Sequence, residues 1–425
     1  MRRHTYASAE RYILSREFFG MKLGLENITA FLESIGSPQT KYKTIHIAGT
    51  NGKGSTAAML ASIYHAQGYK TGLFTSPHLV SLRERVRVDG RMIPKRSVVS
   101  FVDRYRKVLS ERKLSFFELI TAMALEHFAR TRVDIAVVET GLGGRLDASN
   151  VLSPELTITT DISRDHLEIL GYTIPKIARE KAGIIKSSVP HLIGLLPLSA
   201  EKVIRTTCKE VGAPFFKLHK SNFVVYPNEM SLNFQYNGLA IRKVKPSLPG
   251  PHQLKNTALV LKAVSVLRER GLRVGKRAIS EGISRTDWPG RFQIIRRSNL
   301  PTHVFDVCHN AAGIESFVDT IQKTFPGRKA KVITGFVKRK QHQKMFNSLS
   351  RIAESYALVP LRSGRSSNLG ELIDRIDFRG VPLRRYGSLR GAYSKTLRNC
   401  DPRDVVAIIG SHFLVGEFFE KYQVK

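Results

Sequence analysis

The chain reads as an α/β protein: a P-loop-type, mostly parallel sheet domain with a small β insertion, followed by a smaller, Rossmann-like C-terminal α/β domain. Three observations predict this. Short β-branched or apolar runs alternate with helical patterns over nearly the whole length, as buried parallel strands and their crossover helices require. One such run, Thr44–Ile47, passes straight into the turn Gly49-Thr50-Asn51-Gly52-Lys53-Gly54 and then into a helix, Ser55–Gln67, with Gly68 as its C′ residue. The alternation restarts after Trp288-Pro289-Gly290, punctuation suited to a domain boundary. The expected division is 1–288, with a β-rich subdomain around 198–246, and 289–425.

The elements follow in order. Ala9–Phe18 and Leu25–Ile35 have helical periodicity and stop at Gly36 and Pro38. After the glycine turn and its helix comes a strand, Lys70–Thr75, then a polar link, Arg83–Pro94, that suits a hairpin around Asp89-Gly90. Two amphipathic helices are expected at Lys95–Arg112 and Phe116–Arg130. Val133–Val138 is an apolar strand ending at Glu139 and opening into Gly141-Leu142-Gly143-Gly144-Arg145-Leu146-Asp147-Ala148-Ser149-Asn150. Leu156–Thr160 is a strand, followed by the polar turn Asp161–His166. Thr173–Ile184 is a helix with a capping threonine, Val189–Leu196 a strand, and His252–Arg270 a helix. The second domain carries strands at His303–Val307, Lys331–Gly335, Tyr356–Leu361 and Val405–Ile409.

Composition narrows the class. A chain of 425 residues can bury a sizeable core. No apolar run reaches the ~18 residues of a membrane span, and Met1-Arg2-Arg3-His4 does not begin an apolar signal core. Three scattered cysteines offer neither a disulfide framework nor metal spacing. Cytoplasmic residence and a monomer are the expectations. The formal charge of +33 is spread along the chain. Without a nucleic-acid motif, nucleic-acid binding is not expected, although such a field would steer polyanionic small molecules.

Strand, glycine turn and helix make an anion site, because first-turn amides lack intrahelical partners and the helix dipole favours negative charge. Lys53 can add a point charge. The usual loop places Ser or Thr directly after the lysine to hold Mg²⁺; here Gly54 intervenes before Ser55. Metal ligands must therefore come from elsewhere. Ser76, Glu139 and His166 each follow a different strand, where α/β sheets present ligand groups. Singly, each is more often a turn or structural residue, and only their convergence makes a metal site. Lys181 near a helix C-terminus reads as a dipole-compensating charge, no different from Lys176 or Lys186. Asn256 suits a base edge or a local cap, and Arg291 has a planar fork for phosphate. Asp306 and His309 follow a strand in FDVCHN.

The ordered set LGLENI, IHIAGTNGKGS, FTSPHL, FFELITAMAL, ETGLGGRLDASN, REKAGIIK, HQLKN, PGRF, FDVCHN and GSHFLVGE resembles the dihydrofolate synthase/folylpolyglutamate synthase family, relatives of the Mur ligases. That resemblance implies a Mur-ligase-like central domain and ATP-dependent amide formation, in which a carboxylate becomes an acyl phosphate that L-glutamate displaces. It implies ATP contacts at Thr50, Asn51, Gly52, Lys53, Gly54, Ser55, Asn256, Arg291, Asp306 and His309, with Asn256, Arg291 and Asp306 reaching base, phosphate and ribose respectively and His309 beside the phosphates. Metal ligands would be Ser76, Glu139, His166 and a carbamylated Lys181, for two Mg²⁺ sites; participation of K⁺ or another monovalent cation stays open. Lys53, His166 and Lys181 would be catalytic. Dihydropteroate or a folate would lie against Ser15, Arg16, Glu17, Phe18, Ser115, Phe116, Phe117, Glu118, Leu146, Asp147 and Ala148, with Phe116 or Phe117 stacking on the pterin. Two departures stand out: Cys308 where the family usually has alanine, and Ala311 for a common proline. The alternatives are a Mur-type ligase with a UDP-linked substrate, against which Gly54 and the GLGGRLDASN loop argue, and a basic P-loop protein that binds nucleic acid.

Overall fold

The computed structural model describes residues 5–16, 24–364 and 366–424. Its chain forms two compact units. The first runs to Pro77 and includes Leu82–Ser247 and Lys255–Thr286; the second takes His78–Ser81, Leu248–Leu254 and the chain from Asp287 onward. The two short excursions into the second unit have no signal in the sequence.

In the first unit the order is α1 (Tyr6–Ser15), α2 (Glu26–Ser34), β1 (Lys43–Ala48), α3 (Lys53–Ala66), β2 (Thr71–Phe74), β3 (Val86–Val88), β4 (Arg91–Met92), α4 (Lys95–Arg104), α5 (Arg106–Glu111) and α6 (Phe116–Thr131). It continues with β5 (Ile135–Glu139), β6 (Leu156–Thr159), α7 (Leu167–Leu170), α8 (Ile174–Ala182), β7 (His191–Ile193), α9 (Leu198–Val211) and β8 (Phe215–Lys217). Last come β9 (Phe223–Tyr226), β10 (Ser231–Tyr236), β11 (Leu239–Val244), α10 (Pro251–Glu269, of which the part from Lys255 onward belongs to this unit) and α11 (Lys276–Ser284). Eight strands form one sheet in the order β4-β3-β2-β5-β1-β6-β7-β8. From β2 to β8 it is parallel, while β3 and β4 are antiparallel additions. The central strands are buried on both faces, and each fully buried Ile or Val there stabilises by roughly 1.5–3 kcal/mol.

Several expectations need correction. Lys95–Arg112 is two helices, broken at Tyr105, whose ring packs on Phe31 and Phe101. α6 is buried all round from Glu118 to Phe128 rather than amphipathic, since it is covered by α1 and α2 on one side and faces β2 on the other. Within 198–246, α9 lies against α8 and β8 extends the main sheet; only β9, β10 and β11 form a separate antiparallel sheet. α11 was not foreseen, because its stripe Ala278, Ile279, Ile283 is short and flanked by charge. The expected hairpin around Asp89-Gly90 is there, with both residues left-handed (φ 50° and 74°), the geometry that favours Asp-Gly.

The second unit holds β12 (Gln293–Ile295), β13 (Thr302–Asp306), α12 (Ala311–Thr324), β14 (Ala330–Thr334), α13 (His342–Leu349), β15 (Ala353–Leu358), α14 (Leu369–Arg375), β16 (Leu383–Arg385), α15 (Leu389–Arg398), β17 (Val405–Ile409) and α16 (His412–Tyr422). Its sheet has six strands, β12-β13-β17-β14-β15-β16, not four. The unforeseen pair are its edges: three residues each, half-exposed, with little apolar pattern to read.

Candidate active site

Sheet order places the first unit's candidate residues on one edge. β2, β5, β1 and β6 are consecutive neighbours, and in register Ile47 lies opposite Glu139, Ala48 opposite Thr159 and Phe74 opposite Val138. The residues just past these strands are therefore adjacent: Ser76 after β2, Glu139 closing β5, the glycine turn after β1, and Asp161–His166 after β6.

The turn itself leaves no choice of residue at two positions. Gly52 is left-handed (φ 82°), and a Cβ there would lie 2.8 Å from Asn256 Oδ1. At Gly49 a Cβ would meet Thr160 Oγ1 at 2.0 Å. Thr160 Oγ1 donates to Asn51 O (2.7 Å), Thr50 Oγ1 to Ser163 O (3.1 Å), and Asn51 Nδ2 to Ser163 Oγ (3.1 Å). Asn51 Nδ2 also reaches Asp161 Oδ2 at 3.3 Å. Gly54 and Ser55 open α3 and are buried. Asn256 thus sits directly against the turn.

Charge is concentrated here. Lys53 Nζ donates to Gly49 O (3.1 Å) and Thr50 O (3.3 Å), and lies 3.8 Å from Glu139 Oε1. Glu139 is 3% exposed, and its Oε2 accepts from Ser76 N (3.2 Å). Lys181 Nζ donates to the same Gly49 O at 2.7 Å and is also 3% exposed. Burial, then the neighbouring Lys53 charge, bring the Lys181 ammonium down to about 7, against the pull of Asp161, Asp165 and Asp147. Its amine therefore gives up its proton far more readily than an exposed lysine does.

Does this set suit Mg²⁺? That ion prefers oxygen. A buried carboxylate, a serine and an imidazole at adjacent strand tips beside an anion-binding turn fit it, and an uncharged Lys181 amine can take up CO₂ to become an oxygen ligand. His166 is exposed and left-handed (φ 49°); its N–H donates to Asp165 Oδ1 (2.8 Å), with Nε2 3.9 Å from Oδ2. A histidine in that conformation is one of the strained positions that gather at functional sites.

The second glycine loop is held differently. Asp147 accepts from Leu142 N (2.8 Å) through Oδ2 and from Ser149 N (3.0 Å) and Oγ (2.5 Å) through Oδ1. Burial pushes its carboxyl up despite these bonds. Ser149 in turn meets His46 Nε2 at 2.8 Å. A Cβ on Gly144 would stand 2.9 Å from both Glu180 O and Lys181 O, so the loop lies directly on α8. Leu146 is half-buried and Ala148 buried.

Of the other pterin candidates, Ser115 and Glu118 form a capping box for α6: Glu118 Oε2 accepts from Ser115 N and Oγ, both at 2.7 Å. Phe117 packs on Gly141 and Phe74, while Arg85 stacks on Phe116. Ser15 Oγ donates to Tyr12 O, and Arg16 lies over the Tyr12 ring. Glu17 and Phe18 fall outside the described residues. In the second unit, Asp306 Oδ1 and Oδ2 accept from Cys308 N (2.7 Å) and Phe292 N (2.8 Å), and His309 Nδ1 lies 3.0 Å from Val307 O. Cys308 is buried within that turn.

Asp161 was missed by the sequence reading. Its carboxylate braces Asn51 and faces Lys181, and the one available signal was its place opening the polar turn just past β6.

The Mur ligase middle domain matches residues 47–264, and the Mur ligase glutamate ligase domain matches residues 290–412. The chain is 33% identical over 381 residues to the dihydrofolate synthase/folylpolyglutamate synthase of Bacillus subtilis, spanning 87% of this chain and 88% of that one. With the enzyme of the same name from Escherichia coli it shares 30% over 399 residues, 94% and 91% of the two chains. Among solved structures, Escherichia coli FolC in complex with DHPP and ADP superposes with a TM-score of 0.89 at 29% identity, covering 99% and 98%. Mycobacterium tuberculosis folylpolyglutamate synthase complexed with ADP and AMPPCP gives 0.86 at 28%, covering 99% of each.

Proposed function

The chain belongs to the Mur ligase family, on its dihydrofolate synthase/folylpolyglutamate synthase branch, and we propose that it couples L-glutamate to dihydropteroate, to reduced folates, or to both. It is an ATP-dependent ligase. One observation carries the site assignment: four neighbouring strands end in Ser76, Glu139, the 49–54 turn and Asp161–His166, drawn together through Glu139, Lys53 and the Gly49 carbonyl.

In this reading Thr50–Ser55 cradle the ATP phosphates and Asn256 meets the base. The substrate carboxylate attacks the γ-phosphorus, ADP leaves, and the glutamate amine displaces phosphate from the acyl phosphate, losing a proton. Phosphoryl transfer asks the protein for position and neutralised charge more than covalent help. Lys53 supplies one charge and Arg291 a second. Ser76, Glu139 and His166 would hold Mg²⁺, which when bound neutralises and orients the transferring group. The Lys181 amine would add CO₂, releasing a proton, to give a carbamate for a second Mg²⁺. Leu146, Asp147 and Ala148, with Phe116 or Phe117, would line the pterin side. We place the enzyme in the cytoplasm as a monomer, divided near 288; no helix among the described residues is long and apolar enough to cross a membrane.

The test is ADP release by purified protein with dihydropteroate and tetrahydrofolate side by side. Release should require both L-glutamate and a pterin substrate. Turnover of UDP-muramoyl peptides instead would move the chain to the other Mur branch. Tight nucleic-acid binding with a steep salt slope and no ligase activity would dismiss the enzyme reading.

A further inference from the structure

We propose that Asp306 is a positioning residue: its carboxylate clasps the backbone N–H groups of Phe292 and Cys308, and so sets the aim of Arg291 and the seat of His309. The inference rests on the reading of Arg291 as a phosphate contact. By resemblance alone Asp306 would be a ribose contact and nothing more.

The turn around Arg291 is unusual on both sides. Gly290 is left-handed (φ 74°), and so is Phe292 (φ 47°), a bulky residue that rarely adopts that backbone. Such a conformation persists only where the surroundings over-determine it. Here they do. The Phe292 ring is 1% exposed and packs on Phe317 at 5.5 Å. Its N–H is held by Asp306 Oδ2 at 2.8 Å. On the other shoulder, Gly290 O accepts from Val307 N and Gly290 N donates to Gln293 Oε1, both at 3.0 Å.

Asp306 Oδ1 meanwhile accepts from Cys308 N at 2.7 Å, directly before His309. The Cys308 thiol is buried beside the same carboxylate. Two oxygens therefore pin two loops, one leading to each candidate phosphate-side group. The carboxylate is 7% exposed, and the nearby Arg291 charge offsets part of its burial. An amide in its place has a single acceptor oxygen and must release one loop.

The experiment is a pair of double-mutant cycles on ATP-dependent turnover. Asp306→Asn should lower kcat by on the order of 10²-fold through misplacement alone. Arg291→Ala added to it should cost no more than about threefold further, because the arginine has already lost its aim. The Asp306→Asn penalty should be the same with ATP, 2′-deoxy-ATP and 3′-deoxy-ATP. Additive losses with Arg291→Ala, or a penalty that vanishes on either deoxynucleotide, would overturn the proposal in favour of a simple ribose contact. Amide exchange gives a readout independent of activity: protection of the Phe292 N–H should be lost in Asp306→Asn, and its retention would refute the clasp. Should that variant not fold, Gly290→Ala disturbs the same turn with Asp306 intact, since its Cβ would press on Val307 Cγ1 at 3.0 Å; it should show the same coupling to Arg291→Ala. Wild-type protein that releases no ADP with glutamate and pterin substrates would overturn the ligase reading instead, and amide exchange would still decide on the clasp.

Discussion

The two glycine loops of the first unit look alike in sequence and are held by opposite means. In the 49–54 turn it is a carbonyl oxygen that is taken up, with Lys53 and Lys181 both donating to Gly49 O. In the 141–150 loop it is the N–H groups, gathered by the buried Asp147 carboxylate. The first arrangement collects positive charge beside a helix N-terminus, a setting that favours an anion. The second turns its N–H groups onto that one carboxylate, and its glycines serve packing: Gly144 against α8, Gly141 against the Phe117 ring. A glycine-rich stretch thus suits an anion in one case and serves packing in the other, and what distinguishes them is which polar groups turn toward the loop's own backbone.

The contrast can be broken most severely at Lys53. Lys53→Ala should lower kcat by ~10²-fold or more, with unchanged circular dichroism, since the side chain is only part-buried; near-normal turnover would remove the turn from the phosphate site. Lys181 comes next. Lys181→Ala should lose activity, with partial rescue by small carboxylates if a carbamate acts there.

Its pH signature is independent of catalysis. The unfolded chain keeps this proton to about pH 10.5, whereas the folded one releases it near 7. Between those values the unfolded state binds more protons, so stability rises with pH; below about 7 the full penalty of a buried charge remains. Urea titrations of wild type against Lys181→Met should show the wild-type excess slope in that window, and parallel curves would mean the amine is not buried as a charge.

On the second loop the effects should be on stability. Gly144→Ala must push a Cβ into two α8 carbonyls and should cost about 1–3 kcal/mol, read as a lower urea midpoint. An unchanged midpoint would show that the loop does not rest on α8. Smallest is Thr173→Ala: the hydroxyl caps α8 by accepting from Lys176 N, and its loss should cost about 1 kcal/mol with the KM for ATP unmoved.

Much of this was legible in the chain. Caps, glycine stops and β-branched runs placed the central strands to within a residue or two, because those signals act over a single turn or strand. The short edge strands β12 and β16 and the helix α11 escaped for the same reason, since half-exposed elements of three to nine residues carry little pattern.

What local order dictated was the element at each position: a strand, a turn that only glycine can make, a helix to follow. Adjacency was beyond it. Nothing within either segment says that β5 pairs with β2 and β1, which brings Ser76 to Glu139 across 63 residues. Nor could the chain single out Lys181 from its neighbours; the fold exposes Lys176, half-buries Lys186 against Asn150 O, and sends Lys181 alone of the three to Gly49. Pairing and burial are non-local quantities, settled by which surfaces meet when the sheet closes, and the chemistry of an amine depends on them as much as on its being a lysine.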